Sequence, residues 1–275
     1  MASPRKPSKS MNSMRNSRWL KALKKPCRRP LHNLIMAAAR ARSRPYSVAD
    51  EVRCLVVAPH EDDATLGCGG LMIGKRLEAN PVDVLYITDG SASHLGHPTL
   101  PPEELGKQRR SEALAALGAL GVDRKRSHFL DARDGTLGRL DPSEFQTLVD
   151  RIADLLLQIR PDEIFLPCRH DGSSEHDAAF ILIQSALRRT NGRARLLEYP
   201  IWASWAPQRL VRPVFTSRRI WRADFSGYEA IKRRALDLYR SQMAPTPPWD
   251  QPVLSAEFVS YFQSSEEFFF EMDAR

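Results

Sequence analysis

From residue 51 onward the sequence alternates short apolar runs with amphipathic stretches of helical length, and this alternation limits the fold more than any other feature. Val52 to Ala58, Val82 to Thr88, Ser127 to Leu130, Glu163 to Pro167 and Ala194 to Tyr199 read as strands. Ala64 to Leu77, Pro102 to Leu120, Pro142 to Ile159 and Glu175 to Arg189 read as helices. In the third of these, Phe145, Leu148, Ile152, Leu155, Leu156 and Ile159 recur every three or four residues. Such a succession needs crossover connections. It predicts an α/β fold, a single Rossmann-like domain with a mostly parallel sheet flanked by helices. Functional groups in such sheets gather beyond the carboxyl ends of the strands. Residues 227–242 read as one more helix, 244–252 as a proline-rich loop, and the aromatic tail 257–272 as packing on the core.

Charge divides the chain. The net charge of +8 invites a nucleic-acid or membrane-surface role. Residues 1–45, however, hold thirteen Lys and Arg and no acid, which leaves 28 bases against 33 acids, net −5, over the rest. The expected organisation is a basic N-terminal arm, 1–45, followed by an α/β body, 46–275. An acidic body argues against nucleic acid as partner. Three readings of the arm stay open: a solvated segment, a segment lying on an anionic membrane through Trp19, Leu20, Leu23, Leu31, Leu34, Ile35 and Met36, or a targeting peptide. Pro26 and Pro30 would interrupt a single long helix there, while Leu31 to Arg42 could form a short one. No apolar run reaches eighteen residues, and the four cysteines show no CxxC spacing. A reduced, cytoplasmic setting is expected, with peripheral membrane attachment through the arm.

Chemistry concentrates at two predicted strand ends. After the first strand comes Pro59-His60-Glu61-Asp62-Asp63, followed by a glycine-rich LGCGG at the start of a helix. A His and an Asp three apart can converge on one cation while the intervening Asp62 handles a proton. The plain alternative is a carboxylate helix cap with His60 in a surface turn. A second cluster, Cys168-Arg169-His170-Asp171-Gly172-Ser173-Ser174-Glu175-His176-Asp177, follows the strand EIFLP, and His176 could supply a third ligand.

These residues resemble the zinc-dependent N-acetylglucosaminyl deacetylases of the PIG-L/LmbE type. His60-Glu61-Asp62-Asp63 with LGCGG matches the first motif of that family, and Glu175-His176 matches the second. Thr88-Asp89-Gly90, Arg109-x-x-Glu112, Leu120-Gly121-Val122, Asp134-Gly135 and Glu198 to Trp202 extend the match over residues 51–242. The resemblance implies zinc, or another divalent metal such as Fe2+, on His60, Asp63 and His176, with Asp62 as general base. It implies Arg109, Asp134 and Asp89 at the substrate, an N-acetylated amino-sugar conjugate. One departure stands out: Ser173 occupies the position where many members carry a second histidine. A neutral hydroxyl cannot replace a charged donor, so His170, oriented by Asp171, is the nearest stand-in.

Alternatives accompany this reading. The substrate could be another amino-sugar or thiol conjugate, or the chain could be a non-catalytic glycan- or lipid-binding member, although binding alone has no use for Asp62. Arg109 could instead pair with Glu112 on one helix face. His94 and His97 read as a mobile loop near the substrate, His128 and the cysteines as structural, and Trp202 and Trp205 as core or sugar-stacking residues.

Overall fold

The computed structural model describes residues 25–169 and 171–271. Helix α1 (Lys25–Arg42) leads into strand β1 (Ser43–Pro45), then β2 (Cys54–Ala58), α2 (Asp63–Leu77), β3 (Val82–Thr88), α3 (Pro102–Leu120) and β4 (Ser127–Ala132). Next come α4 (Pro142–Ile159), β5 (Glu163–Pro167), α5 (Ser174–Thr190), β6 (Arg195–Tyr199), α6 (Trp202–Trp205) and α7 (Val211–Thr216). The chain ends with β7 (Arg219–Asp224), α8 (Glu229–Leu236), α9 (Arg240–Met243), α10 (Ala256–Val259) and β8 (Glu266–Glu271). One eight-stranded sheet has the order β1-β7-β8-β6-β5-β2-β3-β4. Only β8 runs against its neighbours, β6 and β7. The five strands read from the sequence are all present.

The central strands β2, β3 and β5 are buried on both faces, which is why they lack polar alternation, whereas β1, β4 and β7 are partly exposed. Along β2, Cys54, Val56 and Ala58 enter the core shared with α2 and α3, while Leu55 and Val57 enter the core shared with α4 and α5. Caps set the helix starts. Asp141 accepts from the amides of Ser143 and Glu144, and Glu144 returns a bond to the Asp141 amide, so α4 begins at Pro142. The strand order reverses between β2 and β5, since β3 and β4 lie on one side of β2 and β5 and β6 on the other. A ligand crevice opens at such a switch point, beyond the strands' carboxyl ends.

The structure redraws the expected N-terminal boundary. Ile35 and Ala39 of α1 are buried with Ala203, Leu210, Val214, Ile220, Phe268 and Phe270, and β1 pairs with β7. Residues 25–45 are therefore part of the folded body, and residues 1–24 lie outside the described residues. Nor does proline interrupt α1. An interior proline costs about 3 kcal/mol, but burying Ile35 returns about 2 kcal/mol and the partly buried Leu31 and Met36 add to it. Residues 227–242 form α8 and α9 rather than one helix. The tail contributes β8, a run of Phe buried on both faces that shows no period. The pair read as a mobile loop is enclosed: His94 stacks on Trp249 at 5.3 Å, and His97 meets the same ring edge-on at 4.9 Å.

His32 reports on the docking of α1. Its Nδ1 lies 3.2 Å from the Ser204 carbonyl, and its ring meets Tyr261 edge-on. Burial, helped by the charge of Arg29, lowers its pKa from 6.5 to about 4. A depressed histidine pKa means the unfolded chain binds the proton more readily. The stability it confers is complete above pH 6.5 and is lost as pH falls toward 4. Thermal unfolding should show His32→Gln losing less stability than wild type between pH 7 and 4.5, the difference reaching up to about 3 kcal/mol. Parallel pH profiles for the two proteins would contradict this.

Candidate active site

Strands β2 and β5 are hydrogen-bonded neighbours, and continuing their register brings the residues after Ala58 beside those after Pro167. The two sequence clusters thus meet at the switch point. The His60 amide donates to Asp63 Oδ2 at 3.0 Å, and His60 Nδ1 lies 3.1 Å from the same oxygen. His176 Nε2 approaches Asp63 Oδ2 at 3.4 Å. His60, Asp63 and His176 form one group whose potential ligand atoms all lie within 4.8 Å of one another. His60, Asp134 and Glu175 form a second such group, with His60 Nε2 at 2.8 Å from Glu175 and 3.4 Å from Asp134. The His60 side chain retains 18% exposure, whereas those of Asp63, Asp134, Glu175 and His176 are almost wholly enclosed.

Asp62 stands beside this group. Arg109 Nη2 donates to its Oδ1 at 3.0 Å, and Arg109 Nη1 donates to the Gly90 carbonyl at 3.1 Å. Burial pushes the Asp62 carboxyl above its ordinary range; the charge of Arg109 opposes this and that of Asp63 reinforces it. Glu61 is raised to about 7, again chiefly by burial. Asp63 behaves oppositely: burial would raise it, but the facing imidazoles of His176 and His60 outweigh that and hold it low. His176 is pushed up to about 10, because Asp171 and Asp63 overcome the effect of burial.

The donor set fits a divalent cation. Six carboxylates are buried here, those of Glu61, Asp62, Asp63, Asp134, Asp171 and Glu175, and the guanidinium of Arg109, buried against Glu61, Asp62 and Asp134, faces three of them. Buried charge of one sign is costly unless countered. His176 Nε2 is also fully buried without a hydrogen-bond partner, and it faces Asp63. The field that draws protons onto His60 and His176 is one that a metal would satisfy, displacing those protons.

The remaining sequence candidates fall into distinct places. Arg109 is 2% exposed and committed to Asp62 and Gly90, with Glu61 3.2 Å from its Nε. It holds the aspartate, and it does not pair with Glu112, which instead accepts from the amide and hydroxyl of Ser241. Asp134 faces His60 through Oδ1 and accepts from the Ala92 amide through Oδ2. Asp89 Oδ1 accepts from the amides of Ser91 and Asp134, so it shapes the loop behind the site. Ser173 is the cap of α5, its hydroxyl accepting from the Glu175 and His176 amides. His170 lies outside the described residues. Trp202 and Trp205 pack on Phe258, and His128 bonds Asp83.

Sequence reasoning had paired Asp171 with His170. The structure places Asp171 Oδ2 at 3.2 Å from His176 Nδ1, where it also accepts from the amides of Ile201 and Trp202. This fixes the His176 tautomer and leaves Nε2 to face Asp63, the arrangement that orients metal-ligand histidines. Glu175, likewise missed as a participant, accepts from the amides of Gly135 and Leu137 while reaching His60. Its place next to His176 was the available signal. Asp171→Asn should weaken metal binding about 10–100-fold, measured by chelator competition; an unchanged affinity would remove this role.

Comparison with known proteins adds to this geometry. A family profile described as "PIG-L: GlcNAc-PI de-N-acetylase" matches residues 55–187. Diacetylchitobiose deacetylase of Thermococcus kodakarensis is 26% identical over 238 residues, spanning 81% of this chain and 82% of that protein. The structure of N,N'-diacetylchitobiose deacetylase from Pyrococcus horikoshii, complexed with an inhibitor, superposes with a TM-score of 0.56 at 20% identity, covering 70% of this chain and 72% of that one. The 4-carboxy-2-hydroxymuconate hydratase of Pseudomonas putida superposes with a TM-score of 0.58 at 17% identity, covering 76% and 82%. At these identities the structural likeness establishes the fold alone.

Proposed function

We propose that this chain, whose residues 55–187 are a PIG-L family domain and which is homologous to diacetylchitobiose deacetylase, is a metal-dependent N-deacetylase of an N-acetylglucosamine-type conjugate. The observation that carries this reading is the convergence of His60, Asp63 and His176 from two adjacent strand ends, with Asp62 held beside them by Arg109. Zinc is the proposed metal, with Fe2+ as the alternative. Bound by those three residues, it would polarise the amide carbonyl and acidify a water.

The chain's own groups handle the protons. Asp62 is tied to Arg109 through one oxygen and takes a proton from the attacking water through the other, and its raised pKa makes it a stronger base than an ordinary carboxylate. Water adds to the carbonyl carbon, the carbon–nitrogen bond breaks, and the nitrogen leaves with a proton. The products are acetate and a free amino sugar. Because Ser173 is spent on the helix cap, the leaving nitrogen takes its proton from Asp62, with His170 proposed as the charged donor near the oxyanion.

The test is acetate release from a panel of N-acetylglucosaminyl lipids, glycans and thiol conjugates, alongside the metal content of the protein. About one metal per chain and acetate from at least one member are expected. A metal-free, inactive protein that gains no activity from added Zn2+ or Fe2+ would overturn the reading.

No described helix is long and apolar enough to cross a membrane. Residues 1–24 carry seven Lys and Arg, no acid, and Trp19, Leu20 and Leu23. We propose that they hold the enzyme at an anionic surface where a lipid-linked sugar would be met. Deleting residues 1–24, while keeping α1, should abolish salt-sensitive binding to phosphatidylserine vesicles and spare hydrolysis of a small soluble substrate. Undiminished vesicle binding would remove the arm from this role.

A further inference from the structure

The glycine-rich turn after Asp63 is not an open loop. It is buried inside α2, and its glycines admit side chains against the helix backbone. A Cβ at Gly67 would stand 2.2 Å from the Tyr199 ring, and one at Gly70 would stand 2.1 Å from the Phe225 ring. Into this bared backbone comes a buried ion pair. Lys232 Nζ donates to the Leu66 carbonyl at 2.9 Å and to Glu267 Oε1 at 2.7 Å. Glu267 accepts from the Gly70 amide through Oε1 at 2.7 Å and from the Leu71 amide through Oε2 at 2.8 Å. Leu66 and Gly70 are four residues apart, hydrogen-bonding distance along the continuous helix. Both are also engaged from outside it. The charged side chains are 3% and 5% exposed.

We infer that Lys232 and Glu267 are positioning residues for the active site: their pair fixes where α2 begins, and so where Asp62 and Asp63 stand. Leu66 lies less than one turn beyond Asp63, on the same helix. On the other side, Tyr239 Oη donates to the Glu61 carbonyl at 2.8 Å and pairs with the Thr65 hydroxyl at 2.9 Å. The stretch from Glu61 to Leu71 is thus pinned at both ends by residues from the last fifth of the chain. Both members of the pair lie beyond the segment 55–187 that matches the family profile. Stability alone explains such a pair poorly, because well-packed apolar replacements for a buried ion pair are often neutral or stabilising. A donor at Leu66 and acceptors at Gly70 and Leu71 instead supply geometry that an apolar pair cannot.

This inference rests on the metal-site reading, so binding of Zn2+ and of Fe2+ by the wild type is measured first; absence of both would overturn that reading and this one with it. Zinc affinity, kcat, KM and thermal midpoint are then compared for Glu267→Gln, Lys232→Arg, the apolar pair Lys232→Met with Glu267→Met, and the reversed pair Lys232→Glu with Glu267→Lys. Glu267→Gln and the apolar pair should bind zinc about 10–100-fold more weakly, with lower kcat and little change in KM. The apolar pair should do so while unfolding no earlier than wild type. Lys232→Arg, which keeps the donor, should retain most of the zinc affinity and keeps the comparison open where another variant fails to fold. The reversed pair should not recover it, since Leu66 would then face an acceptor and Gly70 a donor. Wild-type zinc affinity and kcat in the apolar pair, or recovery of both in the reversed pair, would show that the pair only stabilises the fold and overturn the inference.

Discussion

Asp62→Asn should retain its metal and lose about 100- to 10,000-fold in kcat for acetate release, the range by which a positioned general base accelerates proton transfer. The amide oxygen of asparagine can still accept from Arg109 Nη2, which holds Asp62 Oδ1 at 3.0 Å, so the local arrangement is kept and the basic oxygen alone is lost. KM should change little, because the substrate is bound equally well before the proton moves. Metal content and circular dichroism of the purified variant check that the site and fold persist. Acetate release at the wild-type rate would sink the general-base role of Asp62. Loss of metal together with rate would reassign Asp62 to the ligand set.

His176→Gln should bind metal at least about 100-fold more weakly and lose activity with it. His176 Nε2 is the buried nitrogen without a hydrogen-bond partner, while Nδ1 faces Asp171. The variant removes the donor that faces Asp63 and leaves Asp171 its two backbone amides, so folding should survive. The pH dependence carries a second signature. With its imidazole pushed up to about 10 by Asp171 and Asp63, metal-free wild type must give up a proton to bind. Apparent affinity should fall by about tenfold per unit of decreasing pH for each proton displaced, and this slope should be shallower in His176→Gln. A variant that binds metal as wild type does, with the same slope, would exclude His176 from the site.

The Pseudomonas hydratase and the Pyrococcus deacetylase superpose on this chain about equally well. Fold alone therefore does not select amide hydrolysis, and the assignment rests on particular side chains. Most of those side chains were legible in the sequence because they are local. His60, Asp62 and Asp63 follow a strand within five residues, and His176 follows another strand at the start of a helix. Such order along the chain survives any uncertainty about the fold. The strands β2, β3 and β5 were legible for a similar reason, since burial along their whole length makes them largely apolar runs between turn residues.

Sequence by itself thus determined the α/β class, the two strand-end clusters and the acid-free N-terminus. Only the tertiary structure decided how they combine. The adjacency of β2 and β5 brings together residues more than a hundred positions apart, and no local pattern encodes which strands pair. The same holds for Asp171 turning to His176, for Arg109 holding Asp62 in preference to Glu112, and for Lys232 and Glu267 reaching into α2. Helix α1 makes the point most plainly. Its bases and prolines suggested a free arm, and a narrow apolar stripe, worth little until a partner surface exists, packs it onto the body. Periodicity shows that a residue can be buried, and the folded chain alone supplies what it is buried against.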